Sequence, residues 1–393
     1  MYKVCVVTGT RADYGLLRQL LKKLQKNVNI ALQLVVTGSH LSEKFGNTQT
    51  EIKADGFLEY IKLPIPIEDD SKHGMAIATG VAMQKMSDIF VQLRPELLVV
   101  LGDRFEILAA STAAHMLGIP VAHISGGDVT EGAVDDAIRH CITKMSSLHF
   151  PGCEQSRRRI IQMGEHPDTV FNVGEPGVEN CLKLDLMERE ELGRNLNFEY
   201  INGNYSMVTF HPVTMENNTA QQQLYELINA MNQFSDMGYI VTLANADAGG
   251  RLINDIWLQE GKKHNNWLVV SSLGVVRYLS TVKYAKLVIG NSSSGVVEAP
   301  SMKTPTVNIG DRQKGRMMAE SVICCEPKCE DIVNAMRKAL TDEFQENTRH
   351  IKSPFGGGKT SNLIVNHILD FLGESRDTQK KSFYDIDFSV GDR

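Results

Sequence analysis

Short β-branched runs alternating with amphipathic stretches constrain this chain more than any other feature. Val4–Thr8, Leu32–Val36, Leu97–Leu101, Val121–Ile124 and Val170–Val173 read as strands, and Tyr14–Gln25, Gly74–Leu93 and Glu106–Met116 lie between them with helical character. That order is the pattern of parallel strands joined by helical crossovers rather than of hairpins, so the first half predicts a doubly wound α/β domain. The scheme repeats in the second half, with strands at Tyr205–Phe210, Ile240–Ala244, Trp267–Val270, Leu287–Ile289 and Thr306–Ile309. A charged, loop-rich passage over 174–204, with Glu-Arg-Glu-Glu and Asn-Gly-Asn, reads as the hinge. A chain of 393 residues exceeds the size at which one core usually stops growing. The expected boundaries are 1–178 for an N-terminal α/β domain, 179–365 for a C-terminal α/β domain, and 366–393 for a helix end returning to the first domain, plus a tail.

The net charge of -6 gives no electrostatic reason to bind nucleic acid or an anionic membrane, so small molecules and other copies of the chain are the expected partners. The first apolar run is cut off at Gly9, Arg11 and Asp13, too soon for a secretion signal, and no later run reaches membrane-spanning length. Seven scattered cysteines, of which only Cys324, Cys325 and Cys329 cluster, lack zinc-finger spacing and read as thiols of a reducing, cytoplasmic compartment. No metal is expected.

Ligands of parallel sheets bind beyond the carboxyl ends of the strands, so the residues just after each strand carry the functional reading. The first strand runs into Thr8-Gly9-Thr10-Arg11-Ala12-Asp13-Tyr14-Gly15, a glycine turn opening a helix whose N–H groups, with Arg11, suit a phosphate. An ordinary turn with a surface arginine is the plainer alternative. GxGxxG spacing is absent, which argues against a nicotinamide dinucleotide. Leu101-Gly102-Asp103-Arg104-Phe105-Glu106 puts Asp103 and Arg104 at the next strand end, where the aspartate either caps a helix or acts chemically. His123-Ile124-Ser125-Gly126-Gly127-Asp128 then leads to Glu131, Asp135 and Asp136. Confining four carboxylates in nine residues near Asp103 is electrostatically costly and points to general acid/base work.

In the second half, Phe210-His211-Pro212 sets His211 at a strand end, and Asn245 and Asp247 offer amide and carboxylate groups to a ribose or base. Ile289-Gly290-Asn291-Ser292-Ser293-Ser294-Gly295-Val296-Val297-Glu298 is the strongest phosphate signal. Ser292, Ser293 and the backbone at Gly295 can hold a diphosphate, and Glu298 can accept from vicinal ribose hydroxyls. Serine N-capping accounts for one serine but not three. Arg312 follows a further strand end, so Arg11 and Arg312 are expected to act on the same diphosphate. Ser353-Pro354-Phe355-Gly356-Gly357-Gly358-Lys359-Thr360 imitates half of a P-loop, but it lacks the first glycine and a preceding strand, and reads as a turn before a helix at Asn362–Leu372.

Taken in order, TGTRADYG, LGDR, GGD with DDAIRH, FHPVT, NADAG, GNSSSGVVE and NIGDRQKGR make the chain resemble the UDP-N-acetylglucosamine 2-epimerase family, up to roughly its last twenty residues. It is most similar to the hydrolysing branch of sialic-acid biosynthesis. The resemblance implies a glycosyltransferase-B-like fold of two Rossmann-like domains facing across a cleft, a homodimer or homotetramer, and release of UDP and N-acetylmannosamine without a cofactor. It implies diphosphate binding by Arg11, Arg312, Ser292 and Ser293, ribose binding by Glu298, a place near the nucleotide for Asn245, and catalytic or sugar-contacting roles for Asp103, Asp128, Asp135 and His211. One departure stands out: many relatives carry glutamate where this chain has Ser125, and Asp128 or Glu131 is expected to supply that carboxylate. A sister enzyme acting on a UDP-2,4-diacetamido sugar, a glycosyltransferase, and a non-catalytic UDP-sugar sensor are the alternatives.

Overall fold

The computed structural model describes residues 1–43, 47–69, 71–130, 134–212, 219–244, 250–374 and 380–387. It divides into two compact units: one of residues 1–128, 135–176 and 359–393, the other of 129–134 and 177–358.

The first unit begins β1 (Tyr2–Thr8), α1 (Arg11–Lys26), β2 (Ile30–Thr37), α2 (Gln49–Ala54), β3 (Ile61–Leu63), α3 (Lys72–Leu93) and β4 (Leu97–Leu101). It continues α4 (Phe105–Met116), β5 (Val121–Ile124), α5 (Val134–Met145), β6 (Leu148–Phe150) and α6 (Glu154–Gln162). The six strands pair in the order β3-β2-β1-β4-β5-β6, and every pairing is parallel. Both faces are covered, so the strands need unbroken apolar runs. Val4 and Val6 of β1 pack with Leu17, Leu21 and Leu24 of α1 on one face, while Cys5 and Val7 meet Phe90, Leu98 and Ile107 on the other. Helix α1 shows why such segments are helical: Leu17, Leu20, Leu21 and Leu24 recur at one-turn spacing, Thr10 caps the start, and Lys23 and Lys26 complement the dipole at the end.

The second unit follows with α7 (Pro176–Lys183), α8 (Arg189–Leu196), β7 (Tyr205–Thr209), α9 (Ala220–Asn232), β8 (Gly238–Thr242), α10 (Gly250–Gly261), β9 (Trp267–Val270) and α11 (Gly274–Tyr284). Next come β10 (Leu287–Gly290), α12 (Ser293–Ser301), β11 (Thr306–Ile309), β12 (Val322–Cys325), α13 (Cys329–Ala339) and α14 (Asp342–His350), and α15 (Thr360–Gly373) then joins the first unit. Its sheet runs β12-β11-β10-β7-β8-β9, again wholly parallel and with the same topology as the first.

Two expectations need correction. Val170–Val173 is not a strand: only Val170 bridges to His149, because β6 beside it is too short to extend the ladder, and Phe171 turns its ring onto His367 of α15 at 3.7 Å. The passage over 174–204 is not loop-rich, since it holds α7 and α8. Its charges line an amphipathic helix that buries Leu192, and Arg189 donates to the carbonyls of Ile201 at 2.6 Å and Gly203 at 2.7 Å. Among the described residues no helix is long and apolar enough to cross a membrane.

Candidate active site

In a sheet ordered this way the connections leave β1 in one direction and β4 in the other, which opens a crevice at their carboxyl ends. The turns after those strands are Gly9-Thr10-Arg11 and Gly102-Asp103-Arg104. Thr10 accepts the Asp13 N–H at 3.2 Å, and Arg11, the first residue of α1, pairs with Glu51 at 2.5 Å. Arg104 Nε donates to Glu106 Oε1 at 2.8 Å. Glu106 is buried directly beside Gly9, where a Cβ would stand 2.4 Å from Oε1, so this turn needs glycine. Asp13, which sequence reasoning quoted but did not single out, is buried in the same place. Its Oδ2 has no hydrogen-bond partner among the described residues. Burial pushes its carboxyl up to about 7, with Glu106 and Asp103 adding to the rise and Arg104 opposing it.

The acids near Asp103 are organised by an arginine that sequence reasoning missed. Arg139 of α5 is 2% exposed and pairs with Asp103 through Nη2, lies 3.4 Å from Asp136, and donates to the Asp128 carbonyl at 2.9 Å. Charge repulsion among the carboxylates is therefore offset by one buried cation. The Asp128 carboxylate accepts from Ser156 at 2.5 Å. His123 of β5, held neutral by burial at about 4, donates from Nε2 to the Gly102 carbonyl at 2.8 Å and so fixes the loop that carries Asp103. A further unforeseen carboxylate is Glu175, which accepts the Ser125 hydroxyl at 2.8 Å.

The second unit has its own switch point between β7 and β10, followed by His211 and by Asn291-Ser292-Ser293. Asn291 bridges the two turns, accepting the His211 N–H at 2.7 Å and donating to the His211 carbonyl at 2.8 Å. His211 is buried, which together with the Arg312 charge lowers it to about 3, so it is a neutral imidazole at physiological pH. Ser292 caps α12 by accepting the Ser294 N–H at 3.4 Å, leaving the exposed Ser293 in the first turn. Arg312 and Gln313 donate to the Asn291 carbonyl at 3.0 and 2.9 Å, which sets a guanidinium beside that helix start. Glu298 lies within α12, with its carboxyl raised by burial, against Gly177.

The first unit thus brings Asp103 and Asp128 together around Arg139, with Arg11 and Arg104 on the turns beyond β1 and β4. The second gathers His211, Ser292, Ser293, Gly295, Glu298 and Arg312 about α12. Asp135 is exposed on the first turn of α5, and it is Asp136 that faces Arg139. Glu131, Asn245 and Asp247 lie outside the described residues. Arg139 carried a signal in the sequence, one turn beyond Asp135 and Asp136 on the same helix. Glu175 carried none, because its partner is fifty positions away.

Comparison with known proteins gives these features a family. Residues 22–369 match the sequence profile of the UDP-N-acetylglucosamine 2-epimerases. A Campylobacter jejuni protein named GDP/UDP-N,N'-diacetylbacillosamine 2-epimerase (hydrolyzing) is 37% identical over 346 residues, 88% of this chain and 89% of its own. The Escherichia coli polysialic acid biosynthesis protein P7 is 37% identical over 390 residues, 98% of each chain. The crystal structure of the Neisseria meningitidis UDP-GlcNAc 2-epimerase bound to UDP-GlcNAc superposes with a TM-score of 0.81 at 19% identity, covering 94% of this chain and all of that one, and so shares its fold. With a profile match across most of its length and relatives at this identity, the chain belongs to the UDP-N-acetylglucosamine 2-epimerase family.

Proposed function

We propose that this protein is a hydrolysing 2-epimerase that converts UDP-N-acetylglucosamine and water to UDP and N-acetylmannosamine for nonulosonic acid biosynthesis. The C2 hydrogen of an acetamido sugar has no adjacent carbonyl to acidify it, so direct deprotonation is implausible. Breaking the C1–O bond to UDP develops oxocarbenium character beside C2, a carboxylate then takes the C2 proton, and the bonding pair becomes the double bond of a glycal-like alkene. Water next adds at C1 while an acid protonates C2 on the opposite face, which inverts that centre. Asp103 and Asp128 divide the carbon proton transfers. Arg11, Arg312, Ser292, Ser293 and the N–H groups at the start of α12 stabilise the charge that develops on the departing diphosphate. Glu298 accepts from the ribose hydroxyls, and neutral His211 donates or accepts near the leaving group.

The observation that carries this reading is positional: Arg11, Asp103, Asp128, His211, Ser292 and Arg312 all follow carboxyl ends of parallel strands, clustered at or beside the two switch points. The relative named as a diacetylbacillosamine epimerase favours a second donor, the UDP-2,4-diacetamido sugar, in the same reaction. The protein incubated with each donor in deuterated water should yield UDP and a free 2-epimer carrying deuterium at C2. Turnover that needs an acceptor, or UDP-sugar binding with no UDP release, would refute the epimerase reading. The same reading places the chain in a reducing cytoplasm, where seven unpaired cysteines are stable. Likeness to the family is what supports a homodimer or homotetramer for this chain.

A further inference from the structure

A buried carboxylate that this mechanism leaves idle stands at the same strand ends as Asp128. Glu175 is 8% exposed, and its Oε2 accepts the Ser125 hydroxyl at 2.8 Å. Several features build this pair. Ser125 follows β5 directly at a φ of 60°, a left-handed conformation that costs a non-glycine residue energy, and its N–H is tied to the Phe150 carbonyl at the end of β6 at 3.0 Å. Gly152 lies just past β6, and a Cβ there would come 1.8 Å from Glu175 Oε1, so the carboxylate fits only against glycine. Thr360 at the start of α15 donates to the carbonyls of Val173 at 3.0 Å and Glu175 at 3.4 Å, anchoring the backbone behind the side chain. Burial raises the Cys153 thiol, and both Asp128 and Glu175 add to that rise, so the two carboxylates share one neighbourhood.

A serine hydroxyl has one proton, and here it is given to Glu175. The Ser125 oxygen is left to accept from whatever meets it. We infer that Ser125 and Glu175 form a relay that takes the proton of the water adding at C1, an assignment that rests on the functional reading above. As the water oxygen bonds to C1 and an acid protonates C2, the water proton passes to Ser125 Oγ while the serine proton passes to Glu175. Ser125 ends as a hydroxyl again and Glu175 as a neutral acid. Glu175 and the base of the elimination step then return their protons to solvent, the acid regains one, and the net proton leaves with UDP. Ser125 meets the water, and Glu175 is the positioning residue behind it.

Glu175→Gln separates a structural from a proton-accepting role, because the amide oxygen can still accept from Ser125 but cannot take its proton. The whole protein, with whichever donor it turns over, should release UDP together with the alkene, seen by its vinyl proton resonance, in excess over the free epimer. Formation of the epimer should fall about a hundredfold or more, the scale of a lost acid/base group, with KM within about threefold of the parent. Ser125→Ala should give the same partition, and the double variant should be no worse than either, since one relay is cut once. Glu175→Asp should partly restore hydration, and unchanged UDP affinity shows that the variants are folded. Glu175→Gln turnover close to the parent's with no alkene, or loss of alkene and epimer alike, overturns the relay while leaving the epimerase reading intact. A parent protein inert toward both donors overturns that reading and the relay with it.

Discussion

Asp13 and Asp103 follow neighbouring strands, β1 and β4, yet their surroundings set them to different work. Asp103 is a quarter exposed with Arg139 at its side, whereas Asp13 is sealed from water with one oxygen unsatisfied. Asp103→Asn should lower turnover by about two orders of magnitude or more while UDP affinity holds, measured by UDP release and by titration calorimetry; near-parental turnover would remove Asp103 from the mechanism. Asp13 makes a claim on stability. Its folded-state pKa is raised from 3.8 to about 7, so its contribution is complete below the lower value and is lost as pH rises through the higher. Asp13→Asn mimics the neutral acid, and its melting temperature should decline less than the parent's as pH rises from 3.8 to about 7; parallel curves over that range would refute the burial argument. At this scale spacing revealed the acids that end apolar runs, Asp103 and Asp128, because a strand end is a local signal. It did not reveal that Asp13 is shut away from solvent or that Arg139 is, since burying a charge depends on which elements pack over it.

Elements fared differently according to how many faces they bury. Strands such as Leu97–Leu101, covered on both sides, are continuous apolar runs and could be read directly, as could the leucine stripe of α1. The three-residue strands β3 and β6 and the edge strand β12 escaped, because their pairing comes from the neighbouring strand and leaves little pattern of their own. Helix α12 is the element on which the proposed phosphate binding turns, and its start depends on Ser292 as cap and on close packing at Gly295. A Cβ at Gly295 would stand 2.8 Å from Thr306 Cγ2, while Thr306 Oγ1 donates to the Gly295 carbonyl at 2.7 Å. Ser292→Ala should cost about 1 kcal/mol in stability and weaken UDP binding in calorimetry. Gly295→Ala should shift α12 against β11 and weaken UDP binding further. If both variants bind UDP as the parent does, the diphosphate is not held at this helix start.

On the scale of the whole chain, the first unit is assembled from both ends of the sequence. Helix α15 packs Ile364, Val365 and Ile368 onto the β1 side of the sheet, and residues 380–387 continue along the same unit. Lys381 Nζ lies 2.8 Å from Glu165 and donates to the Ser146 carbonyl at 2.7 Å, and the Tyr384 N–H donates to the Gly164 carbonyl at 2.9 Å. Glu165 is the pivot of this attachment. Burial works to raise its carboxyl, but hydrogen bonds from His149, Lys144 and Lys381 overcome that and hold it at about 2. Its folded-state pKa is therefore depressed, and the stability it confers is present above its ordinary value of 4.5 and lost as pH falls through about 2. Lys381→Ala removes one of three donors from a buried carboxylate and should cost about 2 kcal/mol in chemical denaturation near neutral pH. The deficit should shrink in acid, where Glu165 is protonated in both proteins. Hydrogen exchange should rise in β6 and at the end of α6, in the first unit, while the second unit keeps its protection. A loss of protection confined to the second unit, or none in either, would show that the last residues do not secure the unit formed by the first.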